Sequence, residues 1–208
     1  MGRFTLAAVC SALALLSSCS SPETAGPDTQ RLTAHVEERL PFDDTSFTQG
    51  LEVADDGTIY VGTGQEGESR LYTRTPEGDE LQSTDLDPEF FGEGITRAGD
   101  RVWQLTWKKG VAFARDAVTL EETGRAEYSG EGWGLCDQGD RLVMSDGSHT
   151  LTFRDPETFE ETGSVDVVVG DVLVGAGAQA PALAGEVRPA GFFQRRGVAL
   201  DCGAVLPG

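Results

Sequence analysis

The stretch Arg115-Asp116-Ala117-Val118-Thr119-Leu120-Glu121-Glu122-Thr123 is written a second time, almost unchanged, as Arg154-Asp155-Pro156-Glu157-Thr158-Phe159-Glu160-Glu161-Thr162. Two phrases that superimpose this closely indicate an internal repeat. Outward from them, one unit occurs three times between residues 47 and 167, starting at Gln49-Gly50-Leu51-Glu52, Glu93-Gly94-Ile95-Thr96 and Glu131-Gly132-Trp133-Gly134. The fold class is therefore predicted from this repeat.

Each unit contains four short runs that are typical of strands. The start is followed by a Gly/Asp turn and an alternating run such as Val102-Trp103-Gln104-Leu105, a pattern that predicts a hairpin. A third run follows, and a fourth lies near Leu81, Gly124 and Gly163. Four short strands in about 40 residues is the period of a β-propeller blade. The sequence predicts an all-β protein of the β-propeller class with about three blades.

The repeat also predicts where polar groups gather. In a propeller the first strand of each blade lines the central channel, and equivalent positions face one another across it. By the register of the three starts, Gln49, Glu93 and Glu131 are equivalent, which predicts a polar cluster at one end of the channel. The alternative is that these residues only satisfy backbone donors at the blade starts.

The charge of the chain excludes one class of function. The sequence has 16 basic and 35 acidic side chains, a net charge of −19. The excess of acid lies in residues 27–166, because the two ends are balanced. Such a surface repels phosphates, so a nucleic-acid-binding role that depends on a basic footprint is excluded.

The N-terminus has the pattern of an export signal. Arg3 precedes an apolar run over residues 4–16, and Leu16-Ser17-Ser18-Cys19 follows. This ending resembles the bacterial lipobox, which predicts lipidation at Cys19 and a polar tether over residues 20–32. The chain would then be exported, extracytoplasmic and anchored to a bacterial membrane without spanning it. The alternative is an ordinary secretory peptide that happens to contain a cysteine.

The remaining cysteines and the histidines give little support for a bridge or a metal site. Removal of the signal and lipidation of Cys19 leave Cys136 and Cys202. One bridge between them is possible, but nothing in the sequence supports it. His35 and His149 have no Cys, Asp or Glu at a recognisable ligand spacing. We therefore expect no metal and no cofactor.

Five ordered motifs give the chain a family resemblance over residues 33–166. They are Ser46-Phe47-Thr48-Gln49-Gly50-Leu51-Glu52, Phe91-Gly92-Glu93-Gly94-Ile95-Thr96, Gln104-Leu105-Thr106-Trp107-Lys108, Gly130-Glu131-Gly132-Trp133-Gly134-Leu135 and Met144-Ser145-Asp146-Gly147-Ser148. Together they resemble the plant and bacterial type of glutaminyl-peptide cyclotransferase. The resemblance implies a five-bladed propeller that converts the N-terminal glutamine of peptides to pyroglutamate and releases ammonia, with no metal.

The resemblance also assigns roles to residues. It implies that Glu93 is the general acid/base and that Gln49 hydrogen-bonds the substrate. Indole and phenyl rings would line the pocket and exclude water, and two further carboxylates would be neighbours of the substrate. These residues are Trp107, Trp133, Phe47, Phe91, Glu52 and Glu131.

Trp107 and Trp133 differ in how clearly the sequence places them in a pocket. Trp107 departs from its repeat equivalents Gly64 and Gly147, which favours a role in the pocket wall over one in the core. For Trp133, core packing is the alternative.

The resemblance stops after Val165-Asp166-Val167. The family's two further blades supply an Asn-bearing motif, another Trp and a Lys, whereas this chain has no Asn and its only lysines are Lys108 and Lys109. We interpret residues 167–208, rich in Gly, Ala and Val, as an out-of-frame tail; the alternative is a divergent natural ending. The coding DNA read in the other two frames would decide between them. An incomplete propeller of this kind predicts low stability and weak or absent activity.

Two other functions are compatible with parts of the pattern. One is a non-catalytic, lipid-anchored propeller that binds a peptide terminus or a sugar. The paired motifs Phe47-Thr48-Gln49-Gly50 and Phe91-Gly92-Glu93-Gly94 argue against it, because a generic propeller has no reason to carry both. The other, a metal-dependent hydrolase, lacks ligands. We expect a monomer.

Overall fold

The structure, a computed structural model, describes residues 33, 35–36, 38–169 and 172–173. These residues confirm the all-β class, with three four-stranded sheets that we call blades 1, 2 and 3. Blade 1 contains β1 Thr48–Val53, β2 Ile59–Thr63, β3 Arg70–Arg74 and β4 Glu80–Asp85. Blade 2 contains β5 Gly92–Ala98, β6 Arg101–Thr106, β7 Val111–Asp116 and β8 Glu122–Glu127. Blade 3 contains β9 Leu135–Asp137, β10 Leu142–Ser145, β11 Thr150–Arg154 and β12 Glu161–Asp166.

The strands of every blade are antiparallel and follow chain order across the sheet. The innermost strand of blade 2, β5, packs against the innermost strands β1 and β9 of its neighbours. The second strands are the most buried and the fourth strands the most exposed. The predicted hairpins and the predicted fourth strands near Leu81, Gly124 and Gly163 are therefore confirmed.

A small hairpin follows blade 3. Its strands are β13 Val168–Val169 and β14 Val172–Leu173, which lie within the stretch that the sequence pattern assigned to an unrelated tail. The export signal, the tether and residues 174–208 lie outside the described residues. Among the residues that are described, there is no helix of the length and apolarity that crossing a membrane requires.

Local chemistry explains the turns between the third and fourth strands. In the repeated phrase, one Asp116 carboxylate oxygen accepts the backbone N–H groups of Val118 and Thr119 at 2.9 and 2.8 Å. Asp155 makes the same two bonds in blade 3. An aspartate that binds the backbone two and three residues ahead closes a tight turn. The repeated sequence therefore forms the same turn in blades 2 and 3.

Each of these turns ends in a buried apolar residue with left-handed backbone. Leu120 has φ 59° and Phe159 has φ 63°. This conformation is unfavourable for a residue with a Cβ, and both side chains are almost completely buried. Burial of the side chain compensates for the backbone strain.

The blades are tied together by aromatic donors on the second strands. The Tyr60 hydroxyl donates to the Ala117 carbonyl at 2.8 Å, from blade 1 to blade 2. The Trp103 indole donates to the Pro156 carbonyl at 2.9 Å, from blade 2 to blade 3. Phe159 packs on Trp103 with ring centroids 4.7 Å apart. Each blade therefore contacts the turn of the next through equivalent residues.

The predicted equivalence of Glu131 with Gln49 and Glu93 is wrong by two residues. Equivalent positions can be found by comparing the strand pairing in the three blades. In each blade, a buried arginine on the third strand pairs with one residue of the second strand. We take the second-strand residue two positions later as the reference, and its partner on the first strand is then equivalent in all three blades. These reference residues are Val61, Gln104 and Met144, and they face Leu51, Ile95 and Leu135.

Trp133, two residues before Leu135, is therefore the equivalent of Gln49 and Glu93. Glu131 occupies the position that Phe47 and Phe91 hold in the other blades. The error has a simple cause: blade 3 offers two successive X-Gly pairs, Glu131-Gly132 and Trp133-Gly134, and a glycine pattern alone cannot choose between them.

Candidate active site

Gln49 and Glu93 occupy the same irregular step of their blades. The pairing register shifts between Thr48 and Gly50 in blade 1 and between Gly92 and Ile95 in blade 2. An extra residue on one strand is a β-bulge, a device that re-aims side chains and is common next to active sites. The two bulges set Gln49 and Glu93 apart from the regular alternation of β1 and β5.

The glycines after these residues allow the innermost strands to approach closely. A Cβ at Gly94 would lie 2.5 Å from the Trp133 carbonyl oxygen, and one at Gly50 would lie 2.7 Å from the Ile95 nitrogen. The Gly94 N–H donates to the same Trp133 carbonyl at 2.8 Å. A side chain at either position would push neighbouring blades apart. The motif Gln/Glu-Gly thus places a candidate site residue next to a close contact between blades.

Glu93 is a buried carboxyl group, with 8% of its surface exposed. Burial raises its pKa to about 8, a hydrogen bond from the Gln49 side chain works against this rise, and the negative charge of Glu131 adds to it. A carboxyl group of this pKa is mostly protonated at neutral pH and can both give and take a proton there. The structure thus brings Gln49, Glu93 and Glu131 together.

Glu131 has the opposite ionisation. Its Oε2 accepts the indole N–H of Trp107 at 2.8 Å and that of Trp133 at 2.9 Å. These two hydrogen bonds lower the pKa of Glu131 below its ordinary value, and the bond from Trp133 has the larger effect. The site therefore contains one neutral and one ionised carboxyl group at neutral pH, set apart by their surroundings.

Aromatic rings form a row beside these carboxyl groups. The Phe47 and Phe91 rings are 6.1 Å apart and the Phe91 and Trp107 rings 5.6 Å apart, both edge to face. Phe47 lies at the outer end of the row, 37% exposed. Through Glu131 the row continues to Trp133. The structure thus unites seven of the eight predicted substrate-contacting or catalytic residues.

The position of Trp107 in its blade matches the sequence analysis. Trp107 N–H donates to the Phe91 carbonyl at 3.0 Å, as Gly64 N–H donates to the Phe47 carbonyl at 2.9 Å. A Cβ at Gly64 would lie 2.7 Å from Gln49 Cγ and would also strike the Phe91 ring. At Gly147 it would lie 2.8 Å from the Trp133 ring. At both equivalents of Trp107 the space that a Cβ would need is occupied, by Phe91 and Gln49 at Gly64 and by Trp133 at Gly147.

Glu52 is the residue that the structure does not bring to the others. Its Oε2 accepts the Thr96 hydroxyl at 2.8 Å and the Arg97 N–H at 3.0 Å, so it links β1 to β5. Burial raises its pKa, and the charges that influence it are those of Asp137 and Arg97 rather than those of the site. Its contact with substrate stays a prediction, while its contact between blades is observed.

Two residues near the site had no role in the sequence analysis. Lys108 places its ammonium group 3.9 Å from the centre of the Trp107 ring, a cation–π contact. Tyr128 is buried, donates its hydroxyl to the Thr106 carbonyl and accepts the Thr106 N–H at 3.1 Å. Adjacency to Trp107 was a signal for Lys108. Tyr128 directly follows β8, and the equivalent residue after β4 is Leu86, so the repeat gave no signal for a hydroxyl there.

Other predicted chemistry has a more limited outcome. Cys19 lies outside the described residues, so its lipidation stays a prediction. Cys136, on β9, is disulfide-bonded. The part of the chain that is described holds no group of three or more His, Cys, Asp or Glu residues arranged to bind a metal ion.

Fold and site together define a propeller-type all-β protein with a buried acid beside an aromatic wall. A family model described as glutamine cyclotransferase matches residues 8–175, and the chain belongs to this family. Over 127 residues the chain is 35% identical to the glutaminyl-peptide cyclotransferase of Arabidopsis thaliana. The matched region covers 59% of this chain and 39% of the relative.

A solved structure agrees with this assignment. The crystal structure of Myxococcus xanthus glutaminyl cyclase matches with a TM-score of 0.58 and 35% identity, over 64% of this chain and 56% of that chain. The chain thus spans less than half the length of the plant relative and just over half of the bacterial one.

Proposed function

We propose that the chain is a glutaminyl-peptide cyclotransferase, which converts the N-terminal glutamine of peptides to pyroglutamate and releases ammonia. The observation that carries this proposal is the buried Glu93 carboxyl group, hydrogen-bonded to Gln49 beside the aromatic row. The proposed substrates follow from the family to which the chain belongs.

The reaction joins two groups of one residue. The α-amine nitrogen bonds to the side-chain carbonyl carbon, the bond from that carbon to the amide nitrogen breaks, and the nitrogen leaves as ammonia. Because nucleophile and electrophile belong to the same residue, the enzyme has to fix the ring-closing conformer. The row from Phe47 to Trp107 and the Trp133 indole would hold the aliphatic part of the glutamine in that conformer.

Proton transfer is the second task. The attacking amine must lose one proton and the departing nitrogen must gain one, so one carboxyl group can perform both transfers without net change. A peptide α-amine has a pKa of about 7.7–8.0, and burial raises the pKa of Glu93 to about 8. The proton therefore moves between groups of nearly equal affinity, which suits an acid/base catalyst.

An ammonia assay tests the proposal directly. The full chain is incubated with a glutamine-initiated peptide, and ammonia and pyroglutamate are measured by a coupled assay and mass spectrometry. We expect product from the free-amine peptide, at the weak rate that the sequence predicts, and none from its Nα-acetylated counterpart, because acetylation blocks the nucleophile. No ammonia above the protein-free background would contradict the proposed activity.

The role of Glu93 is tested by Glu93→Gln. This variant keeps the size of the side chain but cannot exchange a proton, so we expect kcat to fall by roughly 10²–10⁴-fold. Glu127→Gln is the matched control, because Glu127 is exposed on β8. Equal turnover of Glu93→Gln and the original chain would remove Glu93 from the acid/base role.

We also propose that the chain is exported and anchored through Cys19, on the support of the lipobox-like sequence Leu16-Ser17-Ser18-Cys19. The test is to express the full chain and Cys19→Ala in a bacterium and to separate membrane from soluble material. We expect the original in the membrane fraction and the variant outside it. The same distribution for both would contradict the anchor.

A further inference from the structure

One carboxylate oxygen binds two indoles that come from different blades. Trp107 follows β6 of blade 2, and Trp133 precedes β9 of blade 3, yet both donate to Oε2 of Glu131 at 2.8 and 2.9 Å. Hydrogen bonds to an ionised acceptor are the stronger kind. We call Trp107, Glu131 and Trp133 the indole bridge.

The surroundings of the bridge limit other arrangements of the rings. The Trp107 ring is packed edge to face on Phe91, and the Trp107 carbonyl accepts the Gly132 N–H at 2.9 Å. The Trp133 ring covers Gly147 so closely that a Cβ there would lie 2.8 Å from it. Packing therefore fixes one side of each ring, and Glu131 fixes the indole nitrogens.

We propose that Glu131 is a positioning residue that holds the indoles of Trp107 and Trp133 in one orientation, so that they form a preformed wall for the substrate glutamine. The orientation of the rings stands on the geometry alone, whereas the benefit to substrate rests on the proposed cyclotransferase function. In this role Glu131 acts through the indoles rather than by taking up a proton.

The charge of Glu131 has a second effect on the site. The groups that influence its own ionisation are the two indoles, Lys108, which favours the carboxylate, and Asp146, which disfavours it. The resulting negative charge raises the pKa of Glu93. Removal of this charge should therefore let Glu93 ionise at a lower pH.

Indole resonances provide a test that does not depend on activity. The chain has three tryptophans, and the third, Trp103, donates to the Pro156 carbonyl and serves as an internal reference. In ¹⁵N-labelled Glu131→Ala we expect the indole N–H signals of Trp107 and Trp133 to shift together and to exchange faster with water. In the control Glu127→Ala all three signals should stay in place.

Glu131→Gln separates geometry from charge. Its amide oxygen still accepts hydrogen bonds but carries no charge, so we expect smaller shifts of the same two signals with Trp103 unchanged. If Glu131→Ala also shifts the Trp103 signal, its fold is disturbed, and Glu131→Gln is then the variant that tests the indole bridge. An unshifted signal of Trp107 or Trp133 in Glu131→Gln contradicts the bridge.

Kinetics then distinguish the bridge from the proposed function. Loss of ring alignment in Glu131→Ala should lower kcat/KM by roughly 100-fold, since a misplacement of about 1 Å costs that much. Glu131→Gln should retain more activity and move the pH dependence of Glu93 toward acid. If the original chain releases no ammonia, the proposed function is wrong, and so is the proposed role of the indole wall in binding substrate. The indole resonances would still test whether Glu131 orients the two rings.

Discussion

The carboxyl group of Glu93 is held in its neutral form by the burial that also places it beside Gln49. Burial takes the charged form out of water, which raises the pKa from 4.5 to about 8. The folded chain therefore keeps a proton that the unfolded chain releases. The raised pKa of this residue has a consequence for stability that can be measured without substrate.

The pH dependence of stability tests this consequence. For a raised pKa, the stability contributed by the group is fully present below about pH 4.5 and is lost as the pH rises toward about 8. Glu93→Gln does not titrate, so its urea midpoint should fall less over this interval than that of the original chain. Glu127→Gln should follow the original, and parallel curves for Glu93→Gln and the original would contradict the raised pKa.

The grouping of the candidate site residues was largely predictable from the sequence, but their ionisation was not. Motif spacing placed Gln49 and Glu93 at blade starts, and the structure brings them together. Glu52 shows the limit: it stands three residues after Gln49 on the same strand, and the sequence alone could not say that its carboxylate turns to Thr96 of the next blade. Ionisation depends on burial and neighbours, which only packing determines.

At the scale of elements, the turn between the third and fourth strands of blade 3 contacts blade 2 at Trp103. Phe159 ends this turn, is almost completely buried and packs on Trp103 and Tyr128. The ring belongs to blade 3 and contacts Trp103 on β6 of blade 2 as well as Arg154 of its own blade. Removal of the Phe159 ring would therefore weaken packing between the blades as well as within the turn.

Phe159→Ala should destabilise the chain by about 3–5 kcal/mol, the cost of removing a buried aromatic ring and leaving a cavity. Equilibrium unfolding by urea measures the effect. The control is Val118→Ala in the equivalent turn of blade 2, where the side chain is 77% exposed and the change should stay within about 0.5 kcal/mol. Similar losses for both variants would show that the ring does not stabilise the interface.

The elements themselves were well predicted, and their register was less so. Alternating apolar runs such as the one around Trp103 identify second strands because a buried strand must satisfy packing on both faces. A bulge adds a residue without a signal in hydrophobicity, and Glu131-Gly132 imitates the start of a strand. Register in blade 3 therefore required the pairing of Leu135 with Met144.

For the molecule as a whole, a chain of polar contacts crosses all three blades. Glu52 of blade 1 accepts the Thr96 hydroxyl of blade 2 at 2.8 Å, and that hydroxyl oxygen accepts the Asp137 N–H of blade 3 at 3.0 Å. Thr96 is buried. Each partner would lack a hydrogen bond if the hydroxyl were removed, so one atom joins three repeats.

Thr96→Val removes this atom while keeping the shape of the side chain. The unpaired Asp137 N–H, together with a Glu52 oxygen left with the Arg97 N–H alone, should cost about 1–3 kcal/mol of stability, measured by urea unfolding. Thr162→Val, at an exposed position of β12, should stay within about 0.5 kcal/mol. A Thr96→Val chain as stable as the original would mean that this hydroxyl does not stabilise the contact between the blades.

The glycines at 64 and 147, with an indole at the equivalent position 107, have a consequence for symmetry. Repeats related by rotation about an axis present the same atoms around that axis, so a small molecule on the axis would meet several equivalent directions. Among the three described repeats, one carries an indole where the other two carry a hydrogen atom. This single difference removes the equivalence and leaves one direction around the axis unlike the others.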